Sequence, residues 1–432
     1  MKNQQEILSK LNIDALNPMQ ESALDAISSS NNTILLSPTG TGKTLAFLLP
    51  VLDLLDHNNP EVQVLILVPS RELAIQIEQV IRNMGTGFKV NAIYGGRAMS
   101  KDKIELKHTP AILVGTPGRI LDHFMADRFT KEHINTLILD EFDKSLEVGF
   151  EEEMTEILAE LPNLKKRILT SATEAVKIPK FVGMENPRRI NYLKKNTPSK
   201  LTISTVISEE DKLKTLVQLL KYIGEEPGII FCNLKDSIDT VSSFLSQKHI
   251  LHECFSGGME QKDRERALIK FRNGSSRILV ATDLAGRGMD IPELKFIIHY
   301  ELPQRVEEFT HRNGRTARVN EAGTAYVVKW DKEKLPGFAS NSKPINIGKT
   351  NRLGDPFWET LFISGGRKDK ISKGDIAGLF FKQGGLKREQ LGDIELKQDC
   401  AFVAVPKNKS KELVDSLNNS RLKKKKVRIT VL

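Results

Sequence analysis

Two short segments carry the residue types that bind and hydrolyse a nucleoside triphosphate. The first, SPTGTGKT, begins at Ser37 and follows the apolar run NTILL. Gly40 and Gly42 let backbone amides wrap a phosphate, Lys43 supplies a positive charge, and Thr44 offers a hydroxyl to Mg²⁺. The strict phosphate-loop pattern begins with glycine rather than serine. Because the amides, the lysine and the hydroxyl are all present, we expect this loop to bind phosphates.

The second segment, LILDEFDK, places two consecutive acids directly after an apolar run. A carboxylate at a strand end can position Mg²⁺, which suits Asp140, and Glu141 beside it can orient or deprotonate an attacking water. Each segment alone has a structural alternative: a glycine turn for the first and an acidic helix cap for the second. Their occurrence in one chain favours an ATPase site in which Thr44 and Asp140 hold Mg²⁺, largely through water.

The apolar pattern predicts the elements that position these segments. Short β-rich runs such as VLILV and TLIL alternate with longer helical patterns from Thr33 to Thr170, and a second series runs from Gly228 to Val328. Such alternation is typical of parallel sheets built from βαβ units. We therefore expect two α/β domains, joined near residues 194–200, with an aperiodic linker following the second.

The last sixth of the chain differs from the rest in charge. The net charge is +9, and 17 of the 64 basic but only 9 of the 55 acidic residues lie from Phe357 onward, so this segment alone carries +8. A local basic excess indicates contact with phosphate backbones. Its periodicity predicts strand, helix, strand, strand, helix and strand over 360–364, 373–381, 393–397, 401–405, 410–417 and 427–432. That order predicts a four-stranded antiparallel sheet with helices covering one face.

Composition limits the class of protein. With 432 residues, of which 39% are hydrophobic, the chain can bury several cores. Three widely separated cysteines share no metal-ligand spacing and fit a reducing compartment. No apolar run approaches the roughly 18 residues that a membrane-spanning helix needs, and the N-terminus lacks the apolar region of a signal peptide. We expect a cytoplasmic monomer that has no membrane partner.

The ordered set of motifs resembles the DEAD-box RNA helicases over roughly residues 1–330. In chain order the motifs are NPMQ, SPTGTGKT, PSREL, GG, TPGR, DEFD and SAT, then IIFCN, QKDR, ATDLAGRGMD and HRNGRTAR. The resemblance implies two tandem RecA-like parallel-sheet domains followed by a small α+β RRM-like domain of βαββαβ order. The implied boundaries are an ATP-binding domain over 1–197, a helicase C-terminal domain over 198–332, a linker over 333–356 and an RNA-binding domain over 357–432.

The same resemblance implies an RNA-dependent ATPase that uses ATP and Mg²⁺ to unwind or remodel short RNA duplexes. The implied catalytic residues are Lys43, Asp140, Glu141 and two arginine fingers, Arg315 and Arg318. The implied ATP-binding residues are Asn17, Gln20 (at the adenine edge), Ser37, Pro38, Thr39, Gly40, Thr41, Gly42, Lys43, Thr44 and Asp290. Coupling of ATP to RNA is assigned to Asp143, Ser171, Thr173 and His311. The RNA path is assigned to Pro69, Ser70, Arg71, Glu72, Gly95, Gly96, Thr116, Pro117, Gly118, Arg119, Gln261, Arg264 and Thr282.

The basic C-terminal segment is similar to the RNA-binding domain of DbpA-type bacterial helicases, through LFISGGRKDKISKGDIAGLF and LGDIELKQDCAFVAV. This similarity implies binding to a hairpin of 23S ribosomal RNA in the large-subunit precursor and a role in ribosome biogenesis. The RNP1 pattern that stacks bases in RNA-recognition modules is matched only in part. Phe362 and Phe402 therefore stay open as stacking or core residues, and Arg367, Lys368 and Lys370 are the expected RNA contacts.

Two positions depart from the DEAD-box pattern. The family often carries an aromatic residue 17 positions before its adenine-reading glutamine, and Asn3 stands there, so weaker adenine stacking is expected. Phe142 replaces an alanine within the acidic quartet, whereas the two acids and Asp143 are intact. We expect DEFD to be active, with altered coupling between the domains. An ATP-gated RNA clamp with little unwinding and a DNA helicase stay open as alternatives.

Overall fold

The computed structural model describes the chain except for residues 1–3, 39, 174–177, 194–200, 284–290, 292–293, 318–321, 349 and 351 and the side chains of 147 and 148. The described residues form two compact units, one before and one after 194–200. Within the described part of the chain, no helix is long and apolar enough to cross a bilayer. The predicted joint lies outside the described residues, and the predicted domain boundaries stay predictions.

The first α/β domain is built on a seven-stranded sheet. Its strands are β1 (Asn32–Leu36), β2 (Val64–Leu67), β3 (Val90–Ile93), β4 (Ile112–Gly115), β5 (Thr136–Leu139), β6 (Lys166–Ser171) and β7 (Arg188–Asn191). They lie in the order β3-β4-β2-β5-β6-β1-β7, and every neighbouring pair runs parallel. Successive apolar residues serve opposite faces, since Leu35 and Ile168 lie in one buried cluster and Ile34 and Leu169 in another. Both faces are therefore covered, as the apolar runs predict.

Helices cover that sheet and connect its strands. They are α1 (Gln4–Lys10), α2 (Pro18–Ser29), α3 (Lys43–Leu52), α4 (Arg71–Met84), α5 (Met99–Leu106), α6 (Pro117–Phe124), α7 (Phe142–Val148) and α8 (Glu151–Ala159). Helix α2 begins with a capping box in which Asn17 and Gln20 exchange hydrogen bonds. Helix α4 follows its cap Ser70, whose hydroxyl accepts from the Leu73 amide at 3.2 Å. These polar caps fix where the helices start, and both belong to the motifs described below.

The second α/β domain repeats the architecture. Its strands are β8 (Leu201–Ser208), β9 (Gly228–Phe231), β10 (Glu253–Phe255), β11 (Ile278–Ala281), β12 (Phe296–His299), β13 (Gly323–Trp330) and β14 (Lys343–Pro344). They form a parallel sheet in the order β10-β11-β9-β12-β13-β8-β14. Its described helices are α9 (Lys212–Ile223), α10 (Lys235–Gln247), α11 (Gln261–Arg272) and α12 (Val306–Asn313).

The C-terminal domain is an antiparallel sheet with two helices on one face. Its elements are β15 (Trp358–Ile363), α13 (Lys373–Lys382), β16 (Ile394–Leu396), β17 (Ala401–Pro406), α14 (Ser410–Leu417) and β20 (Ile429–Val431), with a hairpin of β18 (Arg421–Leu422) and β19 (Lys425–Lys426). The four-stranded sheet has the order β16-β17-β15-β20. The predicted βαββαβ order is confirmed, and so is the fold class of two RecA-like domains followed by this small domain. The short hairpin was not predicted.

The sheet face that carries no helix, called the open face below, packs against the turn between α11 and β11 in the same compact unit. Thr360 is fully buried, and its hydroxyl contacts the side chains of Asn273 at 3.2 Å and Ser275 at 2.6 Å. Arg272 forms an ion pair with Glu395 on strand β16. The face opposite the helices is therefore covered, at least over these residues, by the second α/β domain.

Candidate nucleotide and RNA sites

Six predicted motifs of the first α/β domain lie along one edge of its sheet, because each follows the carboxyl end of a parallel strand. SPTGTGKT follows β1, DEFD follows β5 and SAT begins at the end of β6, and these three strands are adjacent. PSREL follows β2, TPGR follows β4 and GG follows β3, which form the other half of the sheet. Candidate nucleotide residues and candidate RNA residues thus occupy adjoining halves of one edge.

The phosphate loop is held by hydrogen bonds to its own carbonyl groups. The amine of Lys43 is buried and donates to the carbonyl oxygens of Ser37 at 2.7 Å and Pro38 at 3.0 Å. Gly40 and Gly42 have φ values of 84° and 86°, in the left-handed region. The loop therefore has the tight curvature that the sequence predicts for a phosphate cradle.

The hydroxyl groups of the loop form a second layer of contacts. Thr41 Oγ1 lies 2.8 Å from Ser37 Oγ and donates to the Pro38 carbonyl at 2.8 Å. Thr44 is half-buried in the first turn of α3. Thr39 lies outside the described residues. Lys43 and Thr44 begin the helix that follows β1, so its amino end faces the cradle.

The NPMQ segment docks directly on this loop. Asn17 Nδ2 donates to the Thr41 carbonyl at 3.1 Å, and Gln20 Nε2 donates to the Gly42 carbonyl at 3.3 Å. A Cβ at Gly42 would lie 2.5 Å from Gln20 Nε2, so glycine is required there for close approach as well as for its positive φ. The structure brings Asn17 and Gln20 to the phosphate loop, and contact of Gln20 with adenine stays a prediction.

The first acid of DEFD is buried and fixed by hydrogen bonds. Asp140 Oδ1 accepts from Thr170 Oγ1 and from the Glu141 amide, the latter at 3.1 Å. Burial raises the pKa of Asp140, against the opposing effects of the Thr170 hydrogen bond and the Lys43 charge. Glu141 has a φ of 49°, which costs roughly 1–2 kcal/mol for a residue with a Cβ. Strain of this kind concentrates at functional sites.

The last acid of DEFD contacts SAT, and coupling between the two motifs stays a prediction. Thr173 Oγ1 donates to Asp143 Oδ2 at 3.2 Å, and the Thr173 amide donates to Ser171 Oγ at 3.0 Å. The Ser171 carbonyl accepts from the Ser37 amide at 3.1 Å. Burial raises the pKa of Asp143. A continuous chain of contacts therefore runs from the DEFD acid through SAT to the phosphate loop.

Phe142, the unusual member of DEFD, points into the apolar core and not into the nucleotide site. Only 1% of it is exposed, and it belongs to the same buried cluster as Leu139, Met154 and Leu169. The acids on either side keep their contacts with Thr170 and Thr173. The substitution therefore enlarges a packing position, and altered coupling between the domains stays a prediction.

The half of the edge that carries the candidate RNA residues begins where PSREL meets GG. The Arg71 guanidinium covers the glycine pair: a Cβ at Gly96 would lie 2.2 Å from Arg71 Nη1, and Gly96 has a φ of 79°. A side chain there would both strain the backbone and displace the arginine. The remaining members of PSREL are the helix cap Ser70, the buried Pro69 and the half-buried Glu72.

TPGR is joined to the GG segment through its arginine. Arg119 Nε donates to Asp102 Oδ2 at 2.8 Å, and Nη2 donates to the Arg97 carbonyl at 2.7 Å. Thr116 is the buried N-cap residue of α6, and Pro117 and Gly118 begin the first turn of that helix. Asp102 belongs to none of the motifs, so sequence reasoning missed it, and no local pattern marks it.

In the second α/β domain, a buried arginine missed by sequence reasoning joins three motifs. Only 1% of Arg312 is exposed. It donates to Asp283 from Nε at 2.7 Å, to Asn233 Oδ1 at 2.8 Å and to the Glu301 carbonyl at 2.6 Å, and it lies over the Phe231 ring at 5.1 Å. Its position within HRNGRTAR was the available signal.

Other predicted residues of this domain lie near these motifs. Arg315 is buried just after α12, and His311 is half-buried within that helix. Gln261 begins α11, Arg264 is buried with its guanidinium 6.0 Å from the Phe255 ring, and Thr282 follows β11. Two further predicted residues, Arg318 and Asp290, lie outside the described residues. Arg315 and Lys43 belong to different compact units.

Basic residues of the C-terminal domain gather at one edge. Lys368 and Lys370 are exposed and Arg367 is half-buried, all in the turn before α13. Ion pairs of Lys425 with Asp369 at 2.8 Å and of Lys423 with Asp375 at 2.9 Å hold the β18–β19 hairpin beside this turn. The two ion pairs bring the basic turn at 367–370 and the basic hairpin at 421–426 close together.

The two candidate stacking aromatics lie on the opposite side of the sheet from the helices. The rings of Phe362 and Phe402 meet edge to face at 5.7 Å, and Phe402 is 5% exposed. Thr360 is on the same side as Phe362, because alternate residues of a strand share a face. Both candidate aromatics thus lie on the sheet face that contacts the second α/β domain.

Comparisons with known proteins find three family matches along the chain. Residues 17–180 match the DEAD/DEAH box helicase family, residues 211–320 the helicase conserved C-terminal domain, and residues 360–431 the DbpA RNA binding domain. The chain is 30% identical to the ATP-dependent RNA helicase DbpA of Bacillus subtilis, over 95% of this chain and 93% of that protein. It is also 30% identical to the ATP-dependent RNA helicase DbpA of Escherichia coli, over 98% and 96%.

Solved structures resemble about three quarters of the chain. Saccharomyces cerevisiae Dbp5 bound to RNA and ADP BeF3 gives a TM-score of 0.68 at 26% identity, covering 76% of this chain and 88% of that one. Mss116p bound to ssRNA and AMP-PNP gives 0.69 at 27% identity, covering 76% and 73%.

Proposed function

This chain belongs to the DEAD-box family of ATP-dependent RNA helicases, and we propose that its substrate is a hairpin-containing region of 23S ribosomal RNA in the large-subunit precursor. Members of this family bind ATP and hydrolyse it in response to RNA. The C-terminal domain carries the proposal about the substrate. This domain matches the DbpA RNA binding domain over 360–431 and has a basic edge. The two α/β domains alone carry no such indication of a particular RNA. Such a role would place the protein in the cytoplasm.

The C-terminal domain is proposed to hold structured RNA by its phosphates. Lys368, Lys370, Lys424 and Lys426 are exposed along the basic edge, whereas Thr360 on the open sheet face is buried against the second α/β domain. Phosphate contacts position a protein on folded RNA without reading its bases. This division supports backbone contact at the edge over base stacking on the sheet.

The proposed ATPase site uses the residues at the edge of the first sheet. Lys43 would contact the phosphates, Thr44 and Asp140 would hold Mg²⁺ largely through water, and Glu141 would orient the attacking water. Hydroxyl and carboxylate oxygens are the ligands that Mg²⁺ prefers, and the rigidly bonded Asp140 suits this use. When bound, Mg²⁺ neutralises charge on the phosphate oxygens.

The remaining assignments complete the proposal. Arg315 and Arg318 are assigned as arginine fingers that stabilise charge on the transferring phosphoryl group. Their supply from the second α/β domain would make hydrolysis depend on closure of the two domains. The RNA path is assigned to PSREL, GG and TPGR of the first domain and to Gln261, Arg264 and Thr282 of the second.

The experiment compares ATP hydrolysis by the full chain without RNA, with generic RNA, with single-stranded DNA and with a 23S fragment that carries the hairpin. Duplex unwinding is measured on the same samples. Stimulation by the ribosomal fragment well above generic RNA, together with unwinding, is the expected result. Hydrolysis without unwinding would identify an ATP-gated clamp, and equal stimulation by DNA would favour a DNA helicase.

A charge-reversal variant tests the basic edge. Replacing Lys368 and Lys370 by Glu should weaken binding of the ribosomal fragment and flatten its salt dependence, by about 0.7–0.9 in log–log slope for each phosphate that the protein no longer neutralises. Lys411→Glu, an exposed lysine on α14 of the same domain, is the matched control. Equal stimulation by all RNAs would leave the helicase activity and contradict the proposed substrate. No hydrolysis with any RNA would contradict the proposed ATPase residues.

A further inference from the structure

One buried carboxylate joins the two turns of the first α/β domain to which RNA contact is assigned. Asp102 lies in α5 and is 0% exposed. Its Oδ2 accepts from Arg119 Nε at 2.8 Å, and its Oδ1 lies 3.3 Å from Arg97 Nε. Arg97 follows GG directly, and Arg119 ends TPGR. A single side chain therefore links the two turns through one arginine from each.

The link is electrostatic and is reinforced by neighbouring contacts. Burial works against ionisation of Asp102, but hydrogen bonds from His123 and Arg119 and the charges of Arg119 and Arg97 outweigh it, so the pKa of Asp102 falls below its usual range. His123 Nε2 lies 3.2 Å from Oδ2. The carboxylate is therefore an anion between two cations, in a place where water screens little of the attraction.

A second bond ties the same two turns. Arg119 Nη2 donates to the Arg97 carbonyl at 2.7 Å, and Arg97 Nη2 is paired with Glu105 one turn after Asp102 on α5. The side chains of Arg97 and Arg119 are only 18% and 10% exposed. Their guanidinium groups are thus mainly engaged within the protein, and they hold the backbone of GG and TPGR at a fixed separation.

We propose that Asp102 is a positioning residue for RNA: it fixes the spacing between the GG turn and the first turn of α6, so that both contact one phosphate backbone. The proposal rests on the assignment of GG and TPGR to the RNA path. As a buried anion, Asp102 cannot itself bind phosphate, and its effect reaches RNA only through the backbone of those two turns. Preorganisation of this kind increases affinity by reducing the ordering cost of binding.

The test uses the full chain and separates RNA binding from ATP chemistry. Asp102→Asn keeps the shape of the side chain and removes its charge. The RNA concentration that gives half-maximal ATPase should rise about tenfold, an effect of the size expected for a residue that acts on a binding site only through other residues. KM for ATP and kcat at saturating RNA should stay within about twofold of the unmodified chain, because Asp102 contacts none of the ATPase residues. A fall in kcat at saturating RNA, or no change in the RNA requirement, overturns the proposal.

Two further variants serve as controls. Asp122→Asn removes a carboxylate that is 58% exposed and 3.8 Å from Arg119 Nη1, and it should leave the RNA requirement unchanged. Gly96→Ala disturbs the RNA path itself, since its Cβ would collide with Arg71. If Gly96→Ala raises the RNA requirement and Asp102→Asn does not, positioning by Asp102 is wrong and the RNA path stands. If neither raises it, the RNA path assigned to this domain is wrong.

A folding defect would be recognised separately. Thermal unfolding of each variant is measured beside its kinetics. If Asp102→Asn does not give folded protein, Arg97→Gln breaks the same link from the GG side, at a side chain nearer the surface. Arg97→Gln should then reproduce the higher RNA requirement with unchanged KM for ATP, and an unchanged RNA requirement overturns the proposal.

Discussion

Truncating Phe142 to alanine separates the two roles that this position can have. The side chain lies in sequence between Glu141, proposed to orient the attacking water, and Asp143, proposed to couple ATP to RNA, yet it packs in the core cluster with Leu139 and Met154. A packing role predicts a loss of stability in the first α/β domain. A coupling role predicts a change in how hydrolysis depends on RNA.

The expected loss of stability follows from burial. Replacing a buried phenylalanine by alanine costs about 3–5 kcal/mol, because transfer energy is lost and a cavity remains. That is a large part of the roughly 5–15 kcal/mol that stabilises a domain. For a domain of this size each kcal/mol shifts the unfolding midpoint by about 2–4 °C. Taking about 4 kcal/mol, Phe142→Ala should lower the midpoint of the first domain by about 8–16 °C.

Differential scanning calorimetry of the full chain measures this shift, and urea unfolding checks it. Met125→Ala is the control in the same domain, because Met125 is 70% exposed and its truncation should leave the midpoint nearly unchanged. A Phe142→Ala midpoint within a few degrees of the unmodified chain would refute the packing argument, since a ring that is 1% exposed would then contribute little.

The same variant tests coupling when it is assayed well below its midpoint. The acids of DEFD keep their hydrogen-bond partners without the ring, so hydrolysis should continue. Altered coupling predicts that the ratio of duplexes unwound to ATP hydrolysed differs between Phe142→Ala and the unmodified chain. If neither ATPase nor unwinding changes, the coupling hypothesis is wrong and Phe142 acts only as a core residue.

Three further predictions concern other sites. Lys43→Ala should lower kcat at saturating ATP and RNA by about 10²–10³-fold, as loss of a preorganised charge donor does, with the unfolding midpoint as control. Burial and the Arg312 charge lower the pKa of His299 to about 3, so between about pH 6.5 and 3 the unfolded chain binds a proton that the folded domain rejects. The stabilising effect of the neutral His299 is complete above that window, and the free energy of unfolding of the second domain should fall by about 2 kcal/mol from about pH 7.5 to 5. His299→Gln should remove this part of the pH dependence, as measured by urea unfolding. Arg272→Glu should lower the free energy of unfolding of the C-terminal domain by about 1 kcal/mol, because it breaks the ion pair with Glu395. The double variant Arg272→Glu/Glu395→Arg should restore it, as measured by thermal unfolding.

Local sequence patterns were sufficient to predict two parallel-sheet domains followed by a domain of βαββαβ order. Short β-rich apolar runs identify the strands, and parallel connection by helices then requires that loops following adjacent strands share an edge. That reasoning predicts that the motif loops lie on one edge of the sheet, whereas the adjacency of β1, β5 and β6, which brings SPTGTGKT, DEFD and SAT together, is known from the structure. The periodicity of the last segment predicts six elements of the C-terminal domain to within two residues at each end, but not the β18–β19 hairpin.

Contacts between distant residues could not be predicted in this way. Asp102 and Arg119 are 17 positions apart, and Arg312 and Asn233 are 79 apart. Neither pair leaves a periodic signal, because pairing across the fold depends on where whole helices and strands settle.

The weak aromatic pattern of the C-terminal domain has a structural explanation. A base-stacking sheet needs exposed aromatic residues on its open face, yet here Phe402 is buried, and the same face carries the buried Thr360 and the ion-paired Glu395. Side chains at these positions meet Asn273, Ser275 and Arg272 of the second α/β domain, so they are suited to hydrogen bonds within the protein and not to bases. The charge of +8 carried from Phe357 onward is then the feature of this domain that indicates RNA contact.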